Sequence, residues 1–302
     1  MYFIGMDGGG TKTKCVVTDE KMSVIFESKG SASNFLIQGI EKVSEMIADL
    51  IIEAVNTTNI KYAELKGFVI GTTGAGRRTD AETLEKGIEE FFAKKGILIN
   101  KIRVESDARV ALEGAFAGNT GSILIAGTGS IMFGKDKFGV IHRVGGFGRF
   151  LGDEGSGYSI GKKGLIALSK CFDGRGRDTL LREIIAEKFS ITDTSVLITE
   201  IYKNNFDIAS VTPSVIEAAE KGDPICVSIL KEESEELILH IKSMYNKLKE
   251  ETMNLSLIGG TITTDNLYAK LFKSKVDELK TVKIIEPIYE PAIGAALMAK
   301  SL

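Results

Sequence analysis

The pattern of hydrophobic and polar positions predicts alternating strands and helices along the first part of the chain. Three short apolar runs are separated by a glycine-rich turn and by Glu20-Lys21, and they predict strands at residues 2–6, 12–18 and 22–28. A helix is predicted at about 38–56, because apolar residues recur there at helical spacing. The other predicted elements of this region are a strand and glycine-rich loop in LKGFVIGTTG, a helix at 82–95, a strand in KIRVES and a helix in DARVALEGAFAG.

The same order of elements then starts again. The segment GSILIAGTGSIMFGKD has the pattern of the opening: an apolar strand, a small glycine turn with a hydroxyl residue, and a second apolar strand. Gly10-Thr11 and Gly129-Ser130 occupy matching places about 119 residues apart, which favours two similar α/β halves over two unrelated hairpins. The second half otherwise predicts helices at about 153–170, at 178–189 and from Asp223-Pro224, strands in LSLIGG and VKIIEP, and a small-residue helix in PAIGAALMA.

The first glycine turn, in DGGGTKTK, has the composition of an anion-binding loop. The backbone N–H groups of Gly8, Gly9 and Gly10 can hold a phosphate, and no Cβ prevents its approach. Thr11 adds a hydroxyl donor. Asp7 places a carboxylate where Mg²⁺ would lie, since this ion typically binds one or two carboxylates together with waters and phosphates. An ordinary hairpin explains the same residues, because Asp-Gly and Gly-Gly are common hairpin turns.

Two other nucleotide-binding motifs are excluded at this turn. A P-loop would need a lysine after Gly10, and Thr11 stands there instead. A dinucleotide fingerprint would need a glycine at Thr13 and a helix after the turn, where a strand is predicted. The segments IAGTGS and IGGTIT supply a second and a third glycine turn, and the three together predict an enclosed ATP site.

Composition narrows the class of function. The 302-residue chain has 43% hydrophobic residues, 26% charged residues and a net charge of −3, which is typical of a soluble globular protein with two domains. This charge gives no electrostatic basis for binding nucleic acid or an anionic membrane, and no segment has the pattern of a signal peptide or membrane span. The three cysteines form no Cys-x-x-Cys pair and fit a reducing cytosol. We therefore expect a cytoplasmic protein without nucleic-acid or membrane partners.

Nine motifs, taken in order, carry a family resemblance: DGGGTKTK, SASNF, GAGR, ESDARVAL, IAGTGS, GGFGRFLGDEGS, AAEKGDP, IGGTIT and PAIGAAL, from residue 7 to residue 297. With them the chain resembles the sugar kinase/Hsp70/actin superfamily, and within it the N-acetylglucosamine kinase branch of the BadF/BadG/BcrA/BcrD ATPase family. The resemblance implies an α/β fold of two ribonuclease H-like (actin-like ATPase) domains, with mixed sheets flanked by helices and an ATP/sugar cleft between them. It implies an N-terminal domain of residues 1–117 plus 289–302 and a C-terminal domain of residues 118–288 with helical insertions.

The resemblance also implies roles for particular residues, with ATP and Mg²⁺ as cofactors. Asp107 is expected to be the catalytic base and Asp7 the carboxylate on the Mg²⁺ side. The residues expected to bind ATP are Gly8, Gly9, Gly10, Thr11, Lys12, Gly127, Thr128, Gly129, Ala219, Gly259, Gly260 and Thr261. The residues expected to bind the sugar are Asn34, Asp107, Ser130, Gly146, Phe147, Gly148 and Asp153.

Asp107 and Asp153 each have a simpler structural interpretation. Asp107 follows a predicted strand and opens a helix, so it can be an N-cap, and that position is compatible with a catalytic role. Asp153-Glu154 begin a predicted helix, and helix capping alone would explain both acids. The two histidines, His142 and His240, have no partner signature and are interpreted as structural.

The predicted activity is ATP-dependent phosphorylation of the 6-hydroxyl group of an amino sugar. The sequence departs from the pattern of the mammalian family members: Phe147 stands where they have a tryptophan, Val144 stands where they have a cysteine, and Ile131 occupies a position that can be asparagine. The identity of the sugar is therefore left open among N-acetylglucosamine, glucosamine and N-acetylmuramic acid. One alternative is an activator ATPase of a 2-hydroxyacyl-CoA dehydratase or benzoyl-CoA reductase, which would bridge a [4Fe–4S] cluster between two subunits. Cys171 and Cys226 lack the local pattern for that role. The other alternative is a non-catalytic regulator built on the same fold. As to oligomeric state, a homodimer is compatible with the family.

Overall fold

Each half of the chain forms one five-stranded mixed sheet covered by helices. The computed structural model describes all 302 residues, which divide into unit 1 (residues 1–121 and 286–302) and unit 2 (residues 122–285). Two mixed sheets flanked by helices confirm the fold class that the resemblance implied.

The sheet of unit 1 combines antiparallel hairpins with parallel strands. Its strands are β1 (Tyr2–Gly8), β2 (Lys12–Thr18), β3 (Val24–Ser31), β4 (Leu65–Thr72) and β5 (Ile102–Ser106). Their order is β3-β2-β1-β4-β5, with β1 antiparallel to β2 and parallel to β4. The central strand β1 is buried along most of its length, as expected for a strand covered on both faces, whereas the edge strand β3 alternates between exposed and half-buried positions.

The sheet of unit 2 repeats this topology. Its strands are β6 (Gly121–Ala126), β7 (Ser130–Lys135), β8 (Ile141–Gly145), β9 (Met253–Ile258) and β10 (Val282–Ile284). Their order is β8-β7-β6-β9-β10, with β7 antiparallel to β8 and β9 parallel to both β6 and β10. Strands β6 and β7 therefore correspond to β1 and β2, which favours the predicted repeat over two unrelated hairpins.

The helices of unit 1 are α1 (Phe35–Gln38), α2 (Ile40–Thr58), α3 (Arg78–Lys94) and α4 (Asp107–Phe116). Those of unit 2 are α5 (Gly157–Phe172), α6 (Leu181–Phe189), α7 (Thr194–Tyr202), α8 (Thr212–Glu220), α9 (Pro224–Leu248), α10 (Gly260–Thr263) and α11 (Leu267–Asp277). The last helix, α12 (Pro291–Lys300), belongs to unit 1. Two 3-10 turns lie at Tyr62–Glu64 and Ile208–Val211. None of the helices combines the length and the hydrophobicity needed to cross a membrane.

A separate hydrophobic core lies beneath the helices of each unit. In unit 1, Ile4, Ile47 and Phe68 are fully buried together, and in unit 2 Leu124 and Ile241 are buried in the same way. Burying one such side chain contributes about 1.5–3 kcal/mol. The apolar positions that predict helix α2 are therefore the residues that fasten it to the sheet.

Most predicted elements are present, and the main difference concerns the start of α5. The predicted helix at about 153–170 begins at Gly157, and its N-cap is Ser156, whose hydroxyl accepts from the Ser159 N–H at 3.2 Å. Asp153 lies before this cap with a φ of 62°, so the interpretation of Asp153-Glu154 as the start of a helix is wrong. The sequence analysis also does not predict α1, α7, α8, α11 or β8.

Helix α12 packs against β1 and α4 through small residues. A Cβ on Gly5 would lie 2.1 Å from the Ala292 carbonyl oxygen, and one on Gly294 would lie 2.2 Å from the Val110 carbonyl oxygen. Backbones can approach this closely only where no side chain intervenes. The close packing fixes the N-cap of α12, Glu290, near the carboxyl end of β1.

Candidate active site

The turn between β1 and β2 presents open backbone. A Cβ on Gly10 would meet no atom within 4 Å, and the side chains of Thr11 and Lys12 are exposed. A Cβ on Gly8, in contrast, would lie 1.9 Å from Ser33 Oγ, so this glycine is required for packing. The turn has the shape of an ordinary hairpin, and beyond Gly8 its backbone is accessible to an anion.

The carboxylate of Asp7, at the end of β1, lies in a strongly acidic environment. Burial, followed by repulsion from Asp107 and Glu290, raises the pKa of Asp7 to about 6, although Lys12 and Lys14 act in the opposite direction. Lys14 is paired with Asp7 across the two strands, and its Nζ lies 2.7 Å from Glu290 Oε1. Ionisation of Asp7 is therefore less favourable than that of a free carboxyl group, and a divalent cation would favour the ionised form.

Asp107 occupies the first turn of α4 but is not its N-cap. The N-cap is Ser106, whose hydroxyl accepts from the Arg109 N–H at 3.2 Å, so the N-cap interpretation of Asp107 is wrong. Asp107 Oδ1 accepts from the Ala108 N–H at 2.8 Å, and Oδ2 accepts from the Thr73 hydroxyl at 2.9 Å. Each carboxylate oxygen keeps a further lone pair that can accept a hydrogen bond from a ligand. The Ala108 N–H and the Thr73 hydroxyl fix the orientation of the carboxylate and thus the direction of its remaining lone pairs.

Sequence reasoning did not identify Thr73. The available signal is its position, since it follows β4 directly in LKGFVIGTTG, and the carboxyl ends of the parallel strands β1, β4 and β5 lie at one edge of the sheet. The Thr73 N–H donates to the Gly8 carbonyl at 3.1 Å, and its hydroxyl donates to Asp107. Thr73 therefore connects the first glycine turn to the proposed base.

Asn34, immediately before α1, has a buried amide oxygen with no hydrogen-bond partner. A Cβ on Gly74 would lie 3.2 Å from this oxygen, which places Asn34 beside the end of β4. An unpartnered buried acceptor costs about 1–3 kcal/mol. A ligand N–H or O–H group would supply the missing donor.

The equivalent turn of unit 2 is fastened to the start of α5. The Gly157 N–H donates to the Gly127 carbonyl at 2.8 Å, and the Tyr158 N–H donates to the Thr128 carbonyl at 3.0 Å. The Thr261 hydroxyl also donates to the Gly127 carbonyl, at 3.2 Å. These bonds hold the turn against two helices and leave the Thr128 side chain exposed.

A cavity of about 460 Å³ lies beside this turn. This volume is within the range of about 300–1,000 Å³ that is usual for small-molecule sites. Its lining includes Gly127, Thr128, Ile216, Glu220, Gly260 and Thr261. Gly259, just before this lining, packs against the end of β6: its φ is 101°, and a Cβ there would lie 2.3 Å from the Ala126 carbonyl oxygen. The cavity brings together the second and third glycine turns that the sequence singles out.

Ala219 does not line this cavity. It is 3% exposed and packs into the core of unit 2, whereas Ile216 and Glu220, four residues apart on α8, face the cavity. The predicted role of Ala219 in nucleotide binding stays a prediction. Sequence reasoning missed the residues of this helix that line the cavity, which are Thr212, Pro213, Ile216, Glu217 and Glu220.

The loop after β8 carries three of the predicted sugar-binding residues. Gly146 and Gly148 have φ values of 72° and 80°, and a Cβ on Gly146 would lie 2.4 Å from Ile131 Cδ1. Phe147 between them is 71% exposed, and the Arg143 guanidinium lies 5.9 Å from the centre of its ring. The two glycines hold Phe147 outward, where the ring can contact a ligand.

Asp153 and Ser130 are in direct contact. The Ser130 N–H donates to Asp153 Oδ1 at 3.3 Å, and the Ser130 hydroxyl donates to the Glu154 carbonyl at 2.6 Å. Burial raises the pKa of Asp153 in spite of the Ser130 N–H bond. Because Ser130 is buried with its hydroxyl in use, its predicted contact with the sugar stays a prediction. The half-buried carboxylate of Asp153 has acceptor capacity left for a ligand.

The two histidines hold loops in place, in agreement with their structural interpretation. His142 Nε2 lies 2.9 Å from Asp136 Oδ2 within the β7–β8 hairpin. His240 Nδ1 bonds the Glu236 carbonyl at 2.8 Å, and a Cβ on Gly145 would lie 2.3 Å from His240 Nε2.

Comparison with known proteins identifies the family of this chain. The family model of the BadF/BadG/BcrA/BcrD ATPase family matches residues 4–299. The chain belongs to this family.

Relatives in this family are named as kinases. The chain is 36% identical over 306 residues to the N-acetylmuramic acid/N-acetylglucosamine kinase of Clostridium acetobutylicum, with 99% of this chain and 98% of that protein covered. It is 31% identical to the N-acetyl-D-glucosamine kinase of Dictyostelium discoideum, with 98% and 97% covered. A Chromobacterium violaceum structure described as that of a proposed N-acetylglucosamine kinase superposes with a TM-score of 0.72 at 22% identity, with 99% and 98% covered, and so has the same fold.

Proposed function

We propose that this BadF-family chain is an ATP-dependent kinase that transfers the γ-phosphoryl group of ATP to the 6-hydroxyl group of an amino sugar. The observation that carries the proposal is the fixed carboxylate of Asp107, which has free acceptor capacity and lies in the same acidic group as Asp7. The names of the relatives support it, since they describe kinases of N-acetylglucosamine and N-acetylmuramic acid. We also propose a cytoplasmic location, where ATP is available.

ATP is assigned to the three glycine turns. The cavity beside Gly260 and Thr261 would hold the nucleoside, and the turns at Gly9–Thr11 and Gly127–Gly129 would bind phosphates through backbone N–H groups and threonine hydroxyls. The residues at Asp7 fit Mg²⁺, because this ion needs only one or two protein carboxylates when phosphates and waters complete its shell. Bound there, Mg²⁺ would neutralise phosphate charge.

Asp107 orients the attacking hydroxyl and accepts its proton. A new bond forms between the sugar 6-oxygen and the γ-phosphorus, while the bond from that phosphorus to the β–γ bridging oxygen breaks and ADP leaves. The hydroxyl proton passes to Asp107. Because the transition state of such transfers is loose in most analyses, the main contribution of Asp107 is orientation, with late proton transfer. The Thr73 hydroxyl holds the carboxylate in place for this role.

The amino sugar is assigned to Asn34, Asp153 and Phe147. The unpartnered Asn34 oxygen can accept from a sugar N–H or O–H, and Asp153 can accept from ring hydroxyls. The exposed Phe147 ring can cover an apolar face of the sugar.

A substrate panel tests the proposal. ADP release by the purified protein with Mg·ATP should be stimulated at least about tenfold by one or more of N-acetylglucosamine, glucosamine and N-acetylmuramic acid, and the product should carry phosphate on the 6-oxygen by NMR. Glucose and N-acetylgalactosamine serve as comparison sugars. The absence of stimulation by every amino sugar would refute the proposal, and the rank order of the three names the preferred substrate.

The cysteines do not favour an activator ATPase. Cys15 and Cys226 are fully buried in different units, and burial raises the pKa of each thiol to about 12, which disfavours the thiolate that a cluster needs. Cys171 is partly exposed, and its thiol donates to Asp178 Oδ1 at 3.4 Å. Anaerobic purification with iron and sulfide analysis checks this point.

Replacing Asn34 with alanine should weaken sugar binding without weakening the fold. We expect the KM for the amino sugar to rise about tenfold, which corresponds to the loss of one hydrogen bond, with the KM for ATP unchanged. The midpoint of thermal unfolding should not fall, because the Asn34 oxygen has no protein partner to lose. Asn56→Ala, on the exposed side of α2, is the control. A lower unfolding midpoint with an unchanged sugar KM would contradict the assignment.

A further inference from the structure

Gly155 lies at the centre of the loop that carries Asp153, and both of its backbone polar groups are bound by side chains. Its N–H donates to Glu233 Oε2 at 2.6 Å, and its carbonyl accepts from the Tyr268 hydroxyl at 2.9 Å. Its φ is 76°, and a Cβ there would lie 2.3 Å from Leu237 Cγ. Only glycine fits this place, and two distant helices, α9 and α11, hold its peptide groups.

Glu233 is a fully buried carboxylate with a single cation beside it. It is 1% exposed, and its Oε1 lies 2.8 Å from Lys163 Nζ on α5. Burial alone would lower the pKa of Lys163, but hydrogen bonds with Glu233 and Glu232 outweigh it and raise that pKa. The residues Lys163, Glu233 and Tyr268, here called the Gly155 brace, therefore join three helices at one loop peptide.

Stability alone gives a weak reason for such an arrangement. An ion pair removed from water gains little over well-packed apolar side chains. Here Glu233 also fixes a backbone N–H group, which an apolar replacement of Glu233 could not bond. The arrangement is suited to holding a peptide unit in place.

The peptide that the brace holds lies between the predicted sugar contact Asp153 and the start of α5. On one side, the Glu154 carbonyl accepts from the Ser130 hydroxyl at 2.6 Å, and the Asp153 carboxylate accepts from the Ser130 N–H at 3.3 Å. On the other side, Ser156 caps α5, the helix that fastens the glycine turn of unit 2. A shift of Gly155 would move Asp153 relative to that turn.

We propose that Lys163, Glu233 and Tyr268 are positioning residues that set the place of Asp153 for sugar binding. The inference rests on the proposed function, since it assigns Asp153 to the amino sugar. The brace does not contact the sugar. It acts through the Gly155 peptide.

Glu233→Gln tests the brace, and Glu232→Gln is its matched control. Glu232 also binds Lys163 Nζ, at 3.1 Å, but its side chain is 58% exposed and it has no bond to the loop. Glutamine has a single acceptor oxygen, so it cannot bond both the Gly155 N–H and Lys163 Nζ as the two oxygens of Glu233 do. We expect Glu233→Gln to raise the KM for the amino sugar about tenfold and to change the KM for ATP less than about twofold, because Asp153 is assigned to the sugar. Glu232→Gln should change neither constant. Equal rises in both constants for Glu233→Gln, or no rise in either, would overturn the proposal.

Hydrogen exchange gives a readout that does not depend on catalysis. In the free protein, peptides that contain residues 153–157 should exchange faster in Glu233→Gln than in wild type, while the peptides of β1 and β2 should not change. Tyr268→Phe, which removes only the hydroxyl that bonds the Gly155 carbonyl, should act in the same direction and serves if the first variant does not fold. Unchanged exchange at 153–157 in a folded variant refutes the brace. A wild-type protein that phosphorylates no amino sugar refutes the proposed function instead.

Discussion

Replacing Asp107 with asparagine should lower kcat by about 10²–10⁴-fold, the usual contribution of a positioned general base. Asparagine has the same shape, its oxygen can keep the bond from the Ala108 N–H, and its NH2 group can donate to the Thr73 hydroxyl oxygen. The start of α4 should stay intact, because its N-cap is Ser106. It cannot take the proton of the sugar hydroxyl. The KM for ATP should therefore stay within about twofold of wild type, because ATP is assigned to other residues.

The measurement is steady-state kinetics with the amino sugar and ATP varied separately. Glu105→Gln is the control, because Glu105 is a carboxylate on β5, two residues before Asp107, that pairs with Arg103 at 2.8 Å rather than with the site. It should leave kcat within about twofold of wild type. Turnover near the wild-type value in Asp107→Asn would show that another group accepts the proton.

Replacing Asp7 with asparagine should abolish activity and stabilise the protein at the same time. We expect kcat to fall at least about 100-fold, because the carboxylate assigned to Mg²⁺ is lost. In metal-free buffer near neutral pH, the free energy of unfolding should rise by about 3 kcal/mol. The folded protein raises the pKa of Asp7 from 3.8 to about 6, so the ionised carboxylate destabilises the folded state above that pH.

The pH dependence distinguishes this explanation from a general change in packing. The stabilisation by Asp7→Asn should be complete above pH 6, shrink as the pH falls, and vanish below 3.8, where Asp7 is protonated in both the folded and unfolded states. Asp19→Asn is a control of opposite sign, because N–H groups of the β2–β3 turn, first that of Ser23, lower the pKa of Asp19. That variant should be less stable near neutral pH. Chemical denaturation at several pH values checks both expectations, and a constant gain for Asp7→Asn across this range would contradict the electrostatic origin.

The sequence predicts the parts of this protein that depend on local pattern. The hairpin at Gly8–Thr11, its repeat at Gly127–Ser130 and the helix that begins at Pro224 follow from apolar runs, glycine turns and a proline at the first helical position. The family resemblance adds the fold class. The local pattern reports on residues that are neighbours along the chain, and the resemblance reports on positions shared with relatives.

What the sequence does not predict depends on contacts between distant segments. The hydroxyl that holds Asp107 comes from Thr73, 34 residues earlier, and the carboxylate that binds the Gly155 N–H comes from a residue 78 positions later. Asp153 resembles a helix start in sequence, but its φ of 62° places it in a turn before the cap. The core-facing orientation of Ala219 likewise depends on how α8 packs, which the motif around it does not encode.

The shared topology of the two sheets has a consequence for how a duplicated scaffold can specialise. When the two glycine turns are aligned in sequence, Ala126 of β6 is the residue equivalent to Asp7 of β1. Ala126 is fully buried, and its carbonyl oxygen is the atom closest to where a Cβ on Gly259 would lie. The β1–β2 hairpin therefore carries an ionisable group whose charge is unfavourable in the folded protein. The β6–β7 hairpin has an uncharged, closely packed residue at the same position. The charge in one copy and the close packing in the other can thus change by mutation independently of each other.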